Sequence, residues 1–136
     1  IAAEGRELTL HELKALHAAK TGALIRASMQ IGAYSAEAEP DISRYAALSK
    51  VGDLIGLAFQ IMDDVLDVTQ STEVLGKPAG SDEAQAKNTF PKLMGLDASQ
   101  TEAERLLEQA IGHLHDHQLA TPTMLDLTEK AVRRTY

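Results

Sequence analysis

The sequence predicts an all-α protein, and three observations carry that expectation. Apolar residues recur at three- and four-residue spacing along most of the chain, the repeat of one face of a helix. Helix-start signals precede these runs, and glycine and proline fall between them. Hydrophobic residues make up 44% of the sequence but aromatic residues only 4%, so alanine and leucine fill the core role, a composition that favours helices.

The first eight residues are short and mixed, with a turn at Gly5. Thr9 and Glu12 then form a T-x-x-E capping box, and Leu8 and Leu13 supply a hydrophobic staple. Leu13, Leu16, Ala23, Leu24, Ala27 and Ile31 continue the pattern, predicting a helix over 10–35. Lys20 and Thr21 fall in its middle, beside small residues that leave space around them. Residues 37–40 break the pattern, and Asp41 is a candidate N-cap for a helix over 42–68, about 40 Å long at 1.5 Å per residue. Gly52 and Gly56 share one face of it, where a second helix can approach closely.

Thr69 to Asn88 carries no helical period and contains Gly76, Pro78 and Gly80, which predicts a long loop. Thr89-Phe90-Pro91 opens a short helical turn closed by Gly95. Ser99 and Glu102 read as a second capping box, and Leu106, Leu107, Ala110, Ile111 and Leu114 predict an amphipathic helix over 99–118. His113 and His117 share a face of that helix, but no Cys or carboxylate completes a metal site with them. Thr121-Pro122 caps a final helix that runs to Arg133-Arg134-Thr135-Tyr136.

At 136 residues, positions 1–136 form one domain or part of one. The sequence holds no cysteine, which excludes disulfides and thiolate metal sites. No apolar run approaches the roughly 20 residues that span a bilayer, so the expectation is a cytoplasmic protein without a leader or membrane span. A net charge of −7 argues against a nucleic-acid surface. An anionic substrate would need local lysines and bridging cations.

The chemistry concentrates in Phe59-Gln60-Ile61-Met62-Asp63-Asp64-Val65-Leu66-Asp67. On a helix, Asp63 and Asp67 lie one turn apart on the same face, with Gln60 a turn earlier and Asp64 rotated by about 100°. Like charges at this spacing repel, and an apolar setting makes the repulsion worse. A cation would offset it. Oxygen-only donors select a hard divalent ion, Mg²⁺ above all. The run also lies in the last turns of the predicted helix, where the macrodipole disfavours negative charge and a cation would relieve the conflict.

The string GLAFQIMDDVLDV, followed by LGKPAGSD and preceded by HAAKTGALI, resembles the C-terminal half of bacterial trans-isoprenyl diphosphate synthases, the farnesyl and geranyl diphosphate synthase group. The resemblance runs from about Leu8 to the end. It implies the C-terminal half of the isoprenoid synthase helical bundle, in an enzyme that condenses an allylic diphosphate with isopentenyl diphosphate head to tail. By the same resemblance Asp63 and Asp67 hold Mg²⁺, with Asp64 a partial ligand or one layer further out, while Asp82 in the loop offers the metal a contact through water. Lys20, Thr21, Gln60 and Lys77 meet the allylic diphosphate, Lys87 adds a basic group, and Phe59 lines the isopentenyl site. The loop around Lys77 is expected to act as a lid.

The family carries two facing aspartate-rich motifs, and only the second is present in this sequence. The chain is therefore expected to need the missing N-terminal half of the same enzyme, to be inactive without it, and to belong to a homodimer. The competing readings are a non-catalytic helical interaction subunit and a terpene cyclase-like enzyme.

Overall fold

The computed structural model describes residues 7–36, 41–75 and 88–134, with the side chains of all of these except 70–75. Lys77, Asp82 and Lys87, and the lid expectation with them, lie outside the described residues. Every regular element among the described residues is helical: α1 (Leu10–His17), a π-helical turn (Ala18–Gly22), α2 (Ala23–Ala36), α3 (Ile42–Leu75), α4 (Phe90–Met94), α5 (Leu96–Asp116) and α6 (Pro122–Val132).

The start signals act as their chemistry requires. Thr9 Oγ1 accepts from the Glu12 backbone N–H while the Glu12 carboxylate accepts from the Thr9 backbone N–H, so the capping box is complete. Leu8 and Leu13, the staple pair, are both buried. Asp41 Oδ1 accepts the Ser43 N–H at 2.8 Å, and Thr89 and Thr121 cap α4 and α6 with proline just inside each start. Gly95 closes α4 at φ +91°, a backbone conformation that L side chains rarely adopt.

Three expectations are corrected. The helix over 10–35 is not uniform, because the π turn widens it at Ala18–Gly22, where small residues crowd the wider turn least. The second helix runs past its predicted end at Val68 to Leu75, which removes the dipole argument for a cation. Asp63 to Asp67 lie well before its end, and the dipole acts within the last turn. Ser99 is not a cap. The helix begins at Leu96, and Ser99, fully buried, donates back to the Gly95 carbonyl at 2.7 Å.

Long α3 is the centre of the bundle. The α1–α2 segment packs on one side of it and α5 on another, while α6 closes against α3 and α5. Val51, Ala58, Ile61 and Val65 of α3 are buried, with Leu107, Ala110 and Leu114 of α5 in the same core. The outer face of α2 is uncovered: Leu24 is 70% exposed and Ile31 65%.

Candidate functional site

The site is set where α3 crosses the π turn. A Cβ added at Gly56 would fall 2.6 Å from Gly22 Cα, and one added at Gly52 would fall 2.7 Å from Arg26 Cα. The two backbones therefore touch, as the glycine pair on α3 predicts. This contact brings Thr21, beside Gly22, against Gln60, one turn beyond Gly56. Thr21 Oγ1 donates to Gln60 Oε1 at 2.9 Å, and His17 Nδ1 lies 3.1 Å from the same oxygen. Gln60, a buried polar residue, turns its Nε2 to Asp63 Oδ2 at 3.4 Å.

Asp63 and Asp67 are the open carboxylates of the acidic run. The Asp63 side chain is 48% exposed and Asp67 is exposed. Arg134, reaching back from the end of α6, places its guanidinium 3.3 Å from Asp63 Oδ1 and 3.8 Å from the centroid of the Phe59 ring. It also donates to the Phe59 carbonyl at 3.5 Å. Phe59 thus underlies the cation of Arg134 at the edge of the site.

Asp64 has a different task from its neighbours. Its Oδ2 accepts the Phe90 N–H at 2.9 Å and so ties α3 to the first turn of α4. Burial raises its pKa, against the opposing pull of that backbone hydrogen bond. One of its oxygens is thereby committed to the protein. Lys20 is exposed in the π turn, without a hydrogen bond or ion pair among the described residues.

His17, Phe90 and Arg134 carry weight here that the sequence did not assign to them. His17 stacks on Phe90 with ring centroids 5.6 Å apart. Its only signal was its place at the head of HAAKTGALI, three residues before Lys20. Nothing in the local pattern marks Arg134.

Magnesium is bound through one or two carboxylates, waters and substrate phosphates more often than by a full cage of side chains. Asp63 and Asp67 suit that arrangement, being hard oxygen donors on one open helix face with an amide donor beside them. Among the described residues no group of three or more His, Cys, Asp or Glu gathers as a metal site.

Residues 2–126 match the polyprenyl synthetase family. Farnesyl diphosphate synthase of Escherichia coli (strain K12) is 39% identical over 137 residues, covering 97% of this chain and 45% of that protein. Geranyltransferase from Helicobacter pylori 26695 superposes with a TM-score of 0.74 at 28% identity, over 98% of this chain and 42% of that one. The Helicobacter pylori geranyltransferase complexed with magnesium and isoprenyl diphosphate gives a TM-score of 0.71 at 34% identity, over 96% of this chain and 42% of that one.

The helical bundle of the described residues, with an acidic face on its central helix, is the setting in which these likenesses fall. The chain belongs to the polyprenyl synthetase family. It spans less than half the length of the relatives named above. No helix among the described residues is long and apolar enough to cross a membrane.

Proposed function

We propose that this chain supplies the second aspartate-bearing wall of a prenyltransferase that joins an allylic diphosphate to isopentenyl diphosphate head to tail and releases diphosphate. The observation that carries this is the line Thr21–Gln60–Asp63, held by a backbone-to-backbone helix crossing in a chain of this family. The named relatives act on or bind prenyl diphosphates by their names.

Asp63 and Asp67 are the residues that would hold Mg²⁺, and bound there it would neutralise charge on the departing diphosphate. The Thr21 hydroxyl and the Gln60 amide fix the direction from which the diphosphate is met, and Lys20 offers an ammonium to it from the neighbouring position. Lys77, Asp82 and Lys87 join this assignment on sequence resemblance alone. Phe59 presents its ring beside Asp63, where it can screen the reacting end of a prenyl chain from water. In this reading the opposing aspartate motif comes from the remainder of a longer protein, which is cytoplasmic and a homodimer.

The test is direct. A protein of the relatives' full length carrying this chain is incubated with Mg²⁺, dimethylallyl diphosphate and isopentenyl diphosphate. Release of diphosphate with formation of geranyl or farnesyl diphosphate supports the reading. A folded protein that releases none, with or without other allylic diphosphates, overturns it.

A further inference from the structure

We propose that His17 is a positioning residue of this site: as the Nδ1–H tautomer it holds the Gln60 amide with its nitrogen turned toward Asp63. The inference rests on the reading of Gln60 as a residue that meets the diphosphate.

The argument begins with what each group can do. An ionised carboxylate only accepts hydrogen bonds, whereas a side-chain amide has a donating and an accepting end. With Gln60 3.4 Å from Asp63, the end facing the carboxylate must be the NH₂, as it is. The amide oxygen then faces the π turn, where Thr21 and His17 approach it at 2.9 and 3.1 Å. Two lone pairs receive two donors.

Thr21 cannot fix this direction. Its hydroxyl donates and accepts, so it would serve a flipped Gln60 equally well. His17 can fix it, because of its other nitrogen. His17 Nε2 is buried and has no hydrogen-bond partner among the described residues, on a ring stacked against Phe90. A bare acceptor at that position is tolerated more readily than an N–H with nothing to bond. The proton of a neutral ring therefore resides on Nδ1, where the Gln60 oxygen receives it. Flipping the amide would set its NH₂ against that N–H and its oxygen against the Asp63 carboxylate. The unpartnered Nε2 thus locks the tautomer, the Nδ1–H at 3.1 Å and the more distant Asp63 carboxylate at 3.4 Å together lock the amide, and the amide presents a donor at the edge of the anion site.

The test uses the full-length protein and reads binding of inorganic diphosphate with Mg²⁺ by calorimetry, together with melting temperature. In His17→Asn the side-chain NH₂ can take the place of Nδ1–H; His17→Gln reaches the Nε2 position instead; His17→Phe keeps the stack on Phe90 and lacks both nitrogens. Diphosphate affinity is expected to stay within about three-fold for His17→Asn and to fall ten-fold or more for His17→Gln and His17→Phe, with His17→Phe melting no lower than the parent. Unchanged affinity in His17→Phe, or rescue by Gln and not by Asn, overturns the proposal. Nitrogen-15 shifts of the His17 ring give a readout independent of binding: protonation on Nδ1 alone is expected. A proton on Nε2 overturns the positioning role while leaving the Gln60 reading intact. Conversely, unchanged diphosphate binding in Gln60→Leu removes the reading on which the proposal rests.

Discussion

Arg134 holds Asp63 from the far end of the chain, its guanidinium 3.3 Å from the carboxylate and 3.8 Å from the centre of the Phe59 ring. A cation therefore already meets the carboxylate assigned to magnesium. The pair is partly exposed, with Arg134 at 20% and Asp63 at 48%, so its contribution is at most about 1 kcal/mol. If Arg134 and a metal ion compete for one oxygen, Arg134→Gln strengthens binding of Mn²⁺ alone by up to about five-fold, read by electron paramagnetic resonance. Weaker Mn²⁺ binding in that variant would mean that Arg134 supports the metal instead of displacing it.

The crossing of α3 with the π turn sets opposite outcomes for two helical glycines. Gly56→Ala gains helix propensity but places its methyl 2.6 Å from Gly22 Cα, and backbone cannot give way cheaply. Overpacking wins, and destabilisation of about 1–3 kcal/mol is expected in urea unfolding. Gly112→Ala in α5 has nothing within 4 Å and gains about 0.5–1 kcal/mol. Equal effects at both positions would contradict the close crossing.

Acid stability depends on Glu102. Its carboxylate accepts from Arg105 on its own helix and from Lys14 of α1 at 3.0 Å, and these hold its pKa down at about 2, against a desolvation cost. The folded state therefore binds this proton less readily than the unfolded one. The stabilisation is full above about pH 4.5 and is lost as pH falls from there toward 2. Glu102→Gln lowers the melting temperature at neutral pH and flattens its decline on acidification. An unchanged decline would place the acid sensitivity elsewhere.

The uncovered face of α2 predicts association. Leu24 and Ile31 are seven residues apart on one stripe and largely exposed, and apolar surface of this kind seeks a partner. Sedimentation of the isolated chain is expected to show self-association that weakens in a Leu24→Ser, Ile31→Ser double variant. A well-folded monomer of the unaltered chain at high concentration would contradict this.

Much of this was legible in the sequence, because it is local chemistry. The Thr9–Glu12 box, the Thr89 and Thr121 caps and the Gly52–Gly56 pair each signal through neighbours one turn away. The farnesyl-type strings likewise announced the family. What was not legible depends on partners distant in sequence. Ser99 resembles a cap until Gly95 accepts its hydroxyl from within a longer helix. The π turn at Ala18–Gly22 leaves only small residues as a clue. The sequence turns Asp64 away from Asp63 and Asp67, but not toward any partner; Phe90, folded back from another helix, supplies one. Arg134 reaches Asp63 through the closure of α6, which no local pattern encodes.

The central claim is that Asp63 serves chemistry and not the fold. Asp63→Ala in the full-length protein removes a weak ion pair with Arg134 but also relieves repulsion from Asp67, so the melting temperature should stay within about 3 °C of the parent. Turnover of dimethylallyl diphosphate with isopentenyl diphosphate and Mg²⁺ should fall by about two orders of magnitude or more, as expected when a group that stabilises a departing diphosphate is lost. A collapsed melting temperature with full specific activity in the remaining folded protein would contradict the account.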